Sequence, residues 1–416
     1  MSVKKSLKSM YKHAAKKVPV LDKALYHYRK AKYDRISKAS TTDPHLMVFC
    51  TFLGKSYGDT PRALYEYMLK SEDYKDYRFV WSFKDIDAYG YLAQNPRTTV
   101  VKHNSKEYYR VTARAKYWFH NFRIGDHVWP RKDQVYVECW HGTPLKRLGF
   151  DLAHFDNAVR SLDSLCEKYA MDTKKMKYLI SPSPFATEKF TSAWALKEYG
   201  KEDVIVEKGY PRNDILFNYD EAYKQNVLEK LGLTDLQGKK ILLYAPTWRD
   251  NQYQDGVGYT YELGVNFDHL QQELGEDFVI LFRAHHMVAS RFDFAKYAGF
   301  VYNASYYPDI ADLYIVADML ATDYSSVFFD YANLKRPIVY YMYDLELYKD
   351  DIRGFYFGLE ELPGPIVQTE DDFIAAIKDL SEHFVYDEKY QKFHEKFNPL
   401  DDGESSKRVL DVIVQD

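Results

Sequence analysis

The chain has 416 residues, of which 46% are hydrophobic and 28% charged, with a formal net charge of −4. This composition excludes a disordered or fibrous protein, and the length predicts two or three domains rather than one small core. No run approaches 18 uncharged apolar residues, so no membrane-spanning segment is expected. Because no apolar stretch follows the basic N-terminus and only three scattered cysteines occur, neither a signal peptide nor a disulfide framework is expected, and a reducing cytoplasm is the simplest setting.

The first 40 residues are strongly basic. They contain twelve Lys and Arg against Asp22 and Asp34, a net charge of +10, so the rest of the chain carries −14. Leu7 and Met10 begin an apolar stripe at helical spacing that lysines surround. Residues 1–40 are therefore expected to form a basic amphipathic segment that docks on an anionic membrane surface. A helix that packs on its own domain is the alternative, and no nucleic-acid-binding module is recognisable.

From His45 onward, short apolar runs alternate with helical stretches, which predicts an α/β protein with parallel, doubly wound sheets. The predicted strands of a first unit are residues 45–52, 78–83, 98–103, 116–122, 135–140, 178–183 and 203–209. Those of a second unit are residues 241–247, 278–285, 300–305, 318–322 and 337–343. A charged helix and a turn-rich segment separate the units. We therefore predict two Rossmann-like domains facing a cleft, residues 41–218 and 219–416, after the basic segment 1–40.

Polar side chains follow several of the predicted strands. Ligands of open α/β sheets bind outside the carboxyl ends of the strands, so these residues are the candidates for a shared site. In chain order they are His141, Thr247, Arg249, Arg283, His285, Thr322, Asp323, Ser325 and Ser326.

The chemistry of this set suits transfer of a phosphoryl-type group. Arg249 and Arg283 can clamp phosphate oxygens, and the Ser325-Ser326 helix start can supply neutral donors. His141 can accept a proton from an attacking hydroxyl, while His285 stabilises or protonates the departing phosphate.

Each of these residues also has a structural alternative. Serines commonly cap helices, Arg283 could pair with a carboxylate, and a lone histidine such as His141 is often a structural donor. His286 is expected to face away from the site. The segment HNFRIGDH (residues 120–127) is expected to be a loop, because its two histidines are too far apart for a helical metal pair.

Longer motifs carry a family resemblance. WHGTPLKRLGFD, SPSPFATEKF, GYPRNDILFN, YAPTWRD, DIADLYIVADMLATDYSSVFFDYANLKRPIVYYMYDLELY, RGFYF and PGPIV follow one another between about residues 47 and 384. In this order they resemble the CDP-glycerol:poly(glycerophosphate) glycerophosphotransferase family of teichoic acid synthesis, whose members have a GT-B-like architecture. One departure is His286, where many relatives show an aromatic residue.

The resemblance implies roles for the candidate residues. His141 would be the catalytic base and His285 a second essential histidine, while Arg249, Arg283, Ser325 and Ser326 would hold the diphosphate. Thr247, Ile310 and Leu313 would lie near the nucleotide of a CDP-polyol bound mainly by the second domain, with Thr322 and Asp323 in the same site.

The resemblance also implies a reaction. A hydroxyl of a polyprenyl-diphosphate-linked acceptor, or of a growing polyol-phosphate chain, attacks the β-phosphorus of CDP-glycerol or CDP-ribitol, and CMP leaves. Glycerol phosphate is the expected unit, and the expected location is the cytoplasmic face of a bacterial cell membrane, as a peripheral protein. The residues demand no bound metal or cofactor, while Mg²⁺ on the nucleotide and a homo-oligomer are left open.

Three other functions compete with this one. The donor could be CDP-ribitol, or the enzyme could add one priming unit rather than polymerise. A GT-B glycosyltransferase that transfers a sugar from a nucleotide sugar is the second alternative. A non-catalytic membrane scaffold is the third, and the intact His141 and His285 argue against it.

Overall fold

The structure is a computed structural model of the chain. It describes residues 19–153, 161–247, 253–254, 258–259, 264–284, 289, 292–346 and 354–414; for residues 19–22, 253–254 and 258–259 it describes the backbone alone.

The first domain is built on a parallel sheet of seven strands in the order β3-β2-β1-β4-β5-β6-β7. Met47, Trp81 and Trp118 on its inner strands are fully buried, since helices cover both faces of the sheet. The strands are β1 (Asp43–Cys50), β2 (Arg78–Phe83), β3 (Thr98–Lys102), β4 (Ala115–His120), β5 (Val135–Glu138), β6 (Tyr178–Ser181) and β7 (Ile205–Glu207). The helices of this part of the chain are α1 (Pro19–Lys38), α2 (Asp59–Lys70), α3 (Lys106–Arg114), α4 (Leu162–Lys175), α5 (Pro184–Ala193) and α6 (Ile215–Asn218).

The second domain repeats this plan with six parallel strands in the order β12-β11-β8-β13-β14-β15. A small antiparallel pair, β9 (Tyr253–Gln254) and β10 (Gly258–Tyr259), lies outside the sheet. The sheet strands are β8 (Lys240–Ala245), β11 (Phe278–Phe282), β12 (Val301–Asn303), β13 (Met319–Thr322), β14 (Ile338–Tyr341) and β15 (Ile366–Val367). The helices that follow α6 are α7 (Glu221–Leu231), α8 (Phe267–Leu274), α9 (Ile310–Val316), α10 (Val327–Tyr331), α11 (Glu370–His383), α12 (Glu388–Phe397) and α13 (Ser405–Ile413).

Each sheet reverses its strand order at one point, between β1 and β4 in the first domain and between β8 and β13 in the second. Doubly wound sheets bind their ligands in the crevice outside the carboxyl ends of the strands at such a point. The segments that follow these four strands are therefore the places to look for a site.

Both termini of the described chain pack on the first domain. Tyr33 of α1 is 1% exposed, and Arg131 Nη1 donates to the Ser37 carbonyl at 2.8 Å. Val409 and Leu410 of α13 belong to the same apolar cluster as Met47 of β1. The sequence prediction assigned residues 219–416 to the second domain, whereas this last helix returns to the first. Among the helices that the structure describes, none is both long and apolar enough to cross a bilayer.

The α/β class and the two parallel sheets are confirmed. All twelve predicted strands occur, because buried parallel strands form continuous apolar runs that are visible in sequence. The sequence analysis did not identify the edge strand β15 or helices α4, α5, α6, α8, α9 and α12. β15 has only two residues, too few for a periodic pattern.

Candidate active site

His141 follows β5 in a turn that hydrogen bonds hold in place. The backbone N–H of Cys139 donates to the carbonyl of His120 in the neighbouring strand at 2.6 Å. The N–H of Trp140 donates to Oε1 of Glu138 at 3.0 Å. Trp140 has a φ of 51°, a left-handed conformation that costs a non-glycine residue about 1–3 kcal/mol and persists only where its surroundings enforce it. This turn fixes the point at which His141 leaves the sheet.

The His141 ring is held in one tautomer. Its Nδ1 lies 2.8 Å from the carbonyl oxygen of Asn121, which can only accept, so Nδ1 carries the hydrogen and Nε2 keeps its lone pair. The ring stacks on Phe122 with centroids 5.6 Å apart and meets Phe52 edge-on at 5.9 Å. Burial lowers the pKa of His141, against the opposing effects of the Asn121 hydrogen bond and the Asp59 carboxylate. His141 is therefore neutral at pH 7 and can accept a proton at Nε2.

The loop that carries His141 contacts the second domain at the predicted serine pair. A Cβ atom placed on Gly142 would lie 2.6 Å from Ser326 Oγ and 3.2 Å from Ser326 Cβ. The absence of a side chain at Gly142 is what allows this approach. The structure therefore brings the loop that carries His141 to Ser326 of the second domain.

The helix after Ser325 and Ser326 is short. α10 has five residues and continues as a 3₁₀ turn, Ala332–Leu334. Ser326 occupies the N-cap position, but its hydroxyl makes no capping hydrogen bond, contrary to the ordinary cap that is the structural alternative. Both serines are half-buried. The donation of their hydroxyls to a phosphate stays a prediction.

Thr322 and Asp323 hold two loops of the second domain together. Thr322 Oγ1 donates to the Ala245 carbonyl at 2.8 Å, and Asp323 Oδ1 accepts from the backbone N–H groups of Thr247 (2.8 Å) and Tyr324 (2.6 Å). The side chains of Thr322 and Asp323 are 0% and 2% exposed. These bonds hold Ala245 and Thr247 at the strand-order reversal, and the substrate contact expected of Thr322 and Asp323 stays a prediction.

Arg283 holds the loop that leads to α9, in the second domain. Arg283 Nη1 donates to the carbonyls of Ala304 (3.1 Å) and Tyr307 (2.9 Å), so part of the guanidinium fixes the loop that leads to α9. Ile310, the first residue of α9, is half-buried, whereas Leu313 is 0% exposed in the apolar core. The Leu313 side chain therefore supports α9 from inside, and the position of Ile310 and Leu313 near the nucleotide stays a prediction.

The sequence model of the family described as CDP-glycerol:poly(glycerophosphate) glycerophosphotransferase matches residues 32–415, which span both domains and every candidate residue. The chain belongs to this family.

Relatives of known name agree with this assignment. The chain is 38% identical over 392 residues to the teichoic acid poly(glycerol phosphate) polymerase of Staphylococcus epidermidis, covering 92% of this chain and 52% of that protein. It is 37% identical over 378 residues to the teichoic acid glycerol-phosphate transferase of Staphylococcus aureus, covering 89% and 93%. A solved structure of the wall teichoic acid polymerase TagF is 34% identical with a TM-score of 0.83, covering 100% of this chain and 98% of the other. The chain thus spans about half the length of the first relative and nearly all of the second.

The described residues do not include three that the sequence analysis names in this family member: Arg249, His285 and His286. The roles expected of Arg249 and His285 stay predictions. Within the described ranges no group of three or more His, Cys, Asp or Glu side chains is arranged to hold a metal ion.

Two ionic clusters join the domains of this glycerophosphotransferase family member, and sequence reasoning identified neither. In the first, Arg62 of α2 contacts Asp309 (3.1 Å) and Asp312 (3.3 Å) at the start of α9. In the second, Arg212 binds Asp330 of α10 through Nε (3.1 Å) and Nη2 (2.9 Å). Burial opposes the charge of Arg212, but Asp330 and Asp59 raise its pKa well above its ordinary value. Both clusters connect first-domain elements to the walls of the crevice.

Asn121, in the segment expected to be a plain loop, connects the second cluster to His141. Asn121 Oδ1 accepts from the backbone N–H of Phe52 at 2.8 Å, and its Nδ2 donates to Asp59 Oδ2 at 2.9 Å. Asp59 Oδ1 lies 3.6 Å from Arg212 Nη1. Asn121 is 0% exposed. No local pattern reveals this role, because its side-chain partners lie about 60 to 70 positions away in the chain.

Proposed function

We propose that the protein transfers glycerol phosphate from CDP-glycerol to a hydroxyl of a membrane lipid-linked acceptor, with release of CMP. Family membership supports the proposal, and so does the contact between Gly142, which follows the proposed base His141, and Ser326. Because the chain spans about half of one named polymerase, the activity of that whole protein is not assumed.

The groups of the proposed site can carry out each part of the transfer of glycerol phosphate. His141 Nε2 takes the proton of the acceptor hydroxyl, and the hydroxyl oxygen forms a bond to the β-phosphorus of the donor. The bond between that phosphorus and the bridging oxygen breaks, and CMP leaves with the electron pair. Hydrogen bonds from Ser325 and Ser326, and charge from Arg249, neutralise the phosphoryl oxygens in this proposal, with His285 at the leaving phosphate.

One observation carries the proposal. The close approach of Gly142 to Ser326 supports it, because the residue next to the neutral His141 imidazole contacts a half-buried serine of the other domain.

A donor panel tests the function. The full chain is mixed with a synthetic lipid-linked acceptor and with CDP-glycerol, CDP-ribitol or a UDP-sugar, and CMP release and product mass are measured. We expect acceptor-dependent CMP release with CDP-glycerol, and a product heavier by one or more glycerol phosphate units. One added unit indicates priming, and a ladder of masses indicates polymerisation.

Two results would reject the proposal. Turnover of the UDP-sugar without turnover of either CDP-polyol would indicate a glycosyltransferase. Full activity in His141→Gln would remove the assigned base. His45→Gln is the matched control, because His45 is exposed near the opposite, amino end of β1.

We also propose that the basic segment 1–40 docks the protein on the cytoplasmic face of the cell membrane. Of this segment, the structure describes α1 from Pro19, and the C-terminal part of that helix is fixed to the first domain through Tyr33 and Ser37. A lipid surface bound by the lysines before residue 19 would therefore lie beside the first domain.

Vesicle sedimentation tests the docking. Deletion of residues 1–18 removes six lysines and leaves α1 intact, so we expect the variant to lose binding to vesicles that contain anionic phosphatidylglycerol. Undiminished, salt-insensitive binding would place the membrane contact elsewhere. Transfer to a short-chain, water-soluble acceptor should persist in the variant.

A further inference from the structure

A groove of about 560 Å³ lies at the carboxyl edge of the first sheet. Its walls come from α1, α4 and the segments that follow β1, β2, β3 and β4, so all of its lining residues fall between Tyr26 and Lys168. This volume is within the range of about 300–1,000 Å³ that is typical of ligand sites. Among the described residues, none from the second domain, which holds the expected donor site, lines the groove.

The groove carries an excess of positive charge. Arg29, Lys84, Arg123 and Lys168 line it, against one carboxylate, Asp126. Arg123 lies 3.5 Å from Asp172, but within the described part of the chain Arg29 and Lys84 are exposed and form no ion pair. These cations come from four separate segments, so no single helix accounts for the charge.

Two histidines of the lining have lowered pKa values. The pKa of His103 is lowered to about 4 by burial and then by Lys84, and that of His127 to about 4 by burial and then by Arg29 and Lys175. Both rings are therefore neutral at pH 7 and serve as polar groups. Burial is the larger cause of both shifts, and the smaller contribution of the cations has the sign that a positive potential produces.

The groove adjoins His141 through two aromatic residues. Phe122 lines the groove and stacks on the His141 ring with centroids 5.6 Å apart. Leu53, also in the lining, directly follows Phe52, whose ring meets His141 edge-on. At the other end, Tyr26 and Arg29 belong to α1, the helix next to the basic N-terminal segment.

We propose that this groove binds the phosphate groups of the acceptor and delivers its terminal hydroxyl to His141. The inference rests on the proposed function and adds to it the place and the residues of acceptor recognition. Phosphate is the shared chemistry of two sources, the phosphodiesters of a polyol-phosphate chain and the diphosphate of a lipid carrier. Arg29 and Lys84 bind these anions from opposite elements of the groove.

Direct binding tests the inference without turnover. Two fluorescent probes are used in the absence of CDP-glycerol: tri(glycerol phosphate), and a disaccharide diphosphate on a short, water-soluble prenyl chain. Anisotropy of each is titrated with the full chain, with the Arg29→Gln/Lys84→Gln double variant, and with the control Arg110→Gln/Lys132→Gln. The control positions are exposed cations of the same domain outside the groove.

We expect the groove variant to bind at least one probe about tenfold more weakly, and the control to bind as the unaltered protein does. Loss for the trimer assigns the groove to the polyol-phosphate chain, and loss for the diphosphate probe assigns it to the lipid carrier. Equal affinity of groove variant and unaltered protein for both probes would overturn the inference. An equal loss in the control would also overturn it, because the binding would then follow net charge alone.

Transfer assays run in parallel separate this inference from the proposed function. In the groove variant, the KM for acceptor should rise while the KM for CDP-glycerol stays unchanged. If the unaltered protein transfers glycerol phosphate but the groove variant binds both probes normally, the groove assignment alone is wrong. If no donor is turned over but the groove variant loses probe binding, the proposed function alone is wrong, and the groove remains a phosphate site.

Discussion

At the scale of single residues, the position of His141, the proposed base, depends on the buried residue Asn121. The side-chain Oδ1 of Asn121 accepts from the Phe52 N–H, and its Nδ2 donates to Asp59. The backbone carbonyl of Asn121 accepts from the His141 Nδ1–H. These bonds fix the orientation of the imidazole, so Asn121 is a positioning residue.

Replacing Asn121 with Ala should therefore affect rate more than donor binding. The Phe52 N–H loses its partner, which costs about 1–3 kcal/mol of the free energy of unfolding. Loosening of the loop should lower kcat by about 10- to 100-fold, with the KM for CDP-glycerol unchanged. Urea unfolding and steady-state kinetics measure the two effects. Asn95→Ala, at the amino end of β3, is the control; an unchanged kcat in Asn121→Ala would contradict the positioning role.

The pH dependence of kcat/KM follows from the charges around His141. Because burial lowers its pKa, the base stays neutral down to a pH below its ordinary 6.5, and activity should fall only as the pH drops through that lowered pKa. Asp59 raises the pKa of His141, so Asp59→Asn should move the acid limb to still lower pH. Asp371→Asn, on α11 of the second domain, should leave the profile in place. An acid limb that moves to higher pH in Asp59→Asn would contradict this assignment.

At the scale of elements, the contact between the β5–α4 connection and the start of α10 can be tested by steric substitution. In Gly142→Ala the new Cβ would lie 2.6 Å from Ser326 Oγ, and overpacking of this kind costs about 1–3 kcal/mol. Ser326→Gly removes the obstructing atoms. The double variant should therefore recover stability, with a coupling free energy of about 0.5–3 kcal/mol in urea unfolding.

Activity should not recover with stability in that double variant, because the predicted Ser326 donor is gone. Gly90→Ala is the control, since no atom lies within 4 Å of a Cβ placed there. Purely additive stabilities for Gly142→Ala and Ser326→Gly would show that the two domains do not meet at this point.

The same elements show what sequence can and cannot predict here. β1, β4, β5, β8 and β13 were visible because parallel strands covered on both faces are unbroken apolar runs, and the residues after them were visible because ligand sites follow such strands. The tasks of those residues were less visible. Thr322 and Asp323 bind backbone groups of another loop, and Asn121 binds His141 from a segment that was expected to be a loop. Sequence patterns do not reveal these contacts, because folding alone brings the partners together.

At the scale of the whole molecule, the crevice is held by charges that cross between domains. Arg62 reaches the start of α9 and Arg212 reaches α10, so each ionic contact fixes one wall of the second domain against the first. The C-terminal helix α13 returns to the first domain and adds an apolar contact to this connection. The geometry at His141 and Ser326 is therefore a property of the assembled pair of domains.

Replacement of Asp330 by Asn tests this dependence. Arg212 is 7% exposed and binds Asp330 through two nitrogens, so loss of the carboxylate charge leaves a buried guanidinium with Asp59 as its nearest remaining anion, at 3.6 Å. Breaking a buried pair in this way costs about 3–5 kcal/mol. We expect Asp330→Asn to lower the free energy of unfolding by that amount in urea. It should also lower kcat, because α10 no longer holds Ser325 and Ser326 against the loop of His141.

The matched control is a carboxylate of the same domain whose ion pair is exposed. Glu361 pairs with Lys396 at 2.5 Å, with side chains 36% and 40% exposed, and pairs of this kind contribute about 0–1 kcal/mol. Glu361→Gln should therefore leave both the free energy of unfolding and kcat nearly unchanged. If Asp330→Asn behaved like Glu361→Gln, the Arg212 contact would be incidental, and the approach of Gly142 to Ser326 would have to be maintained by the apolar packing of the two domains alone.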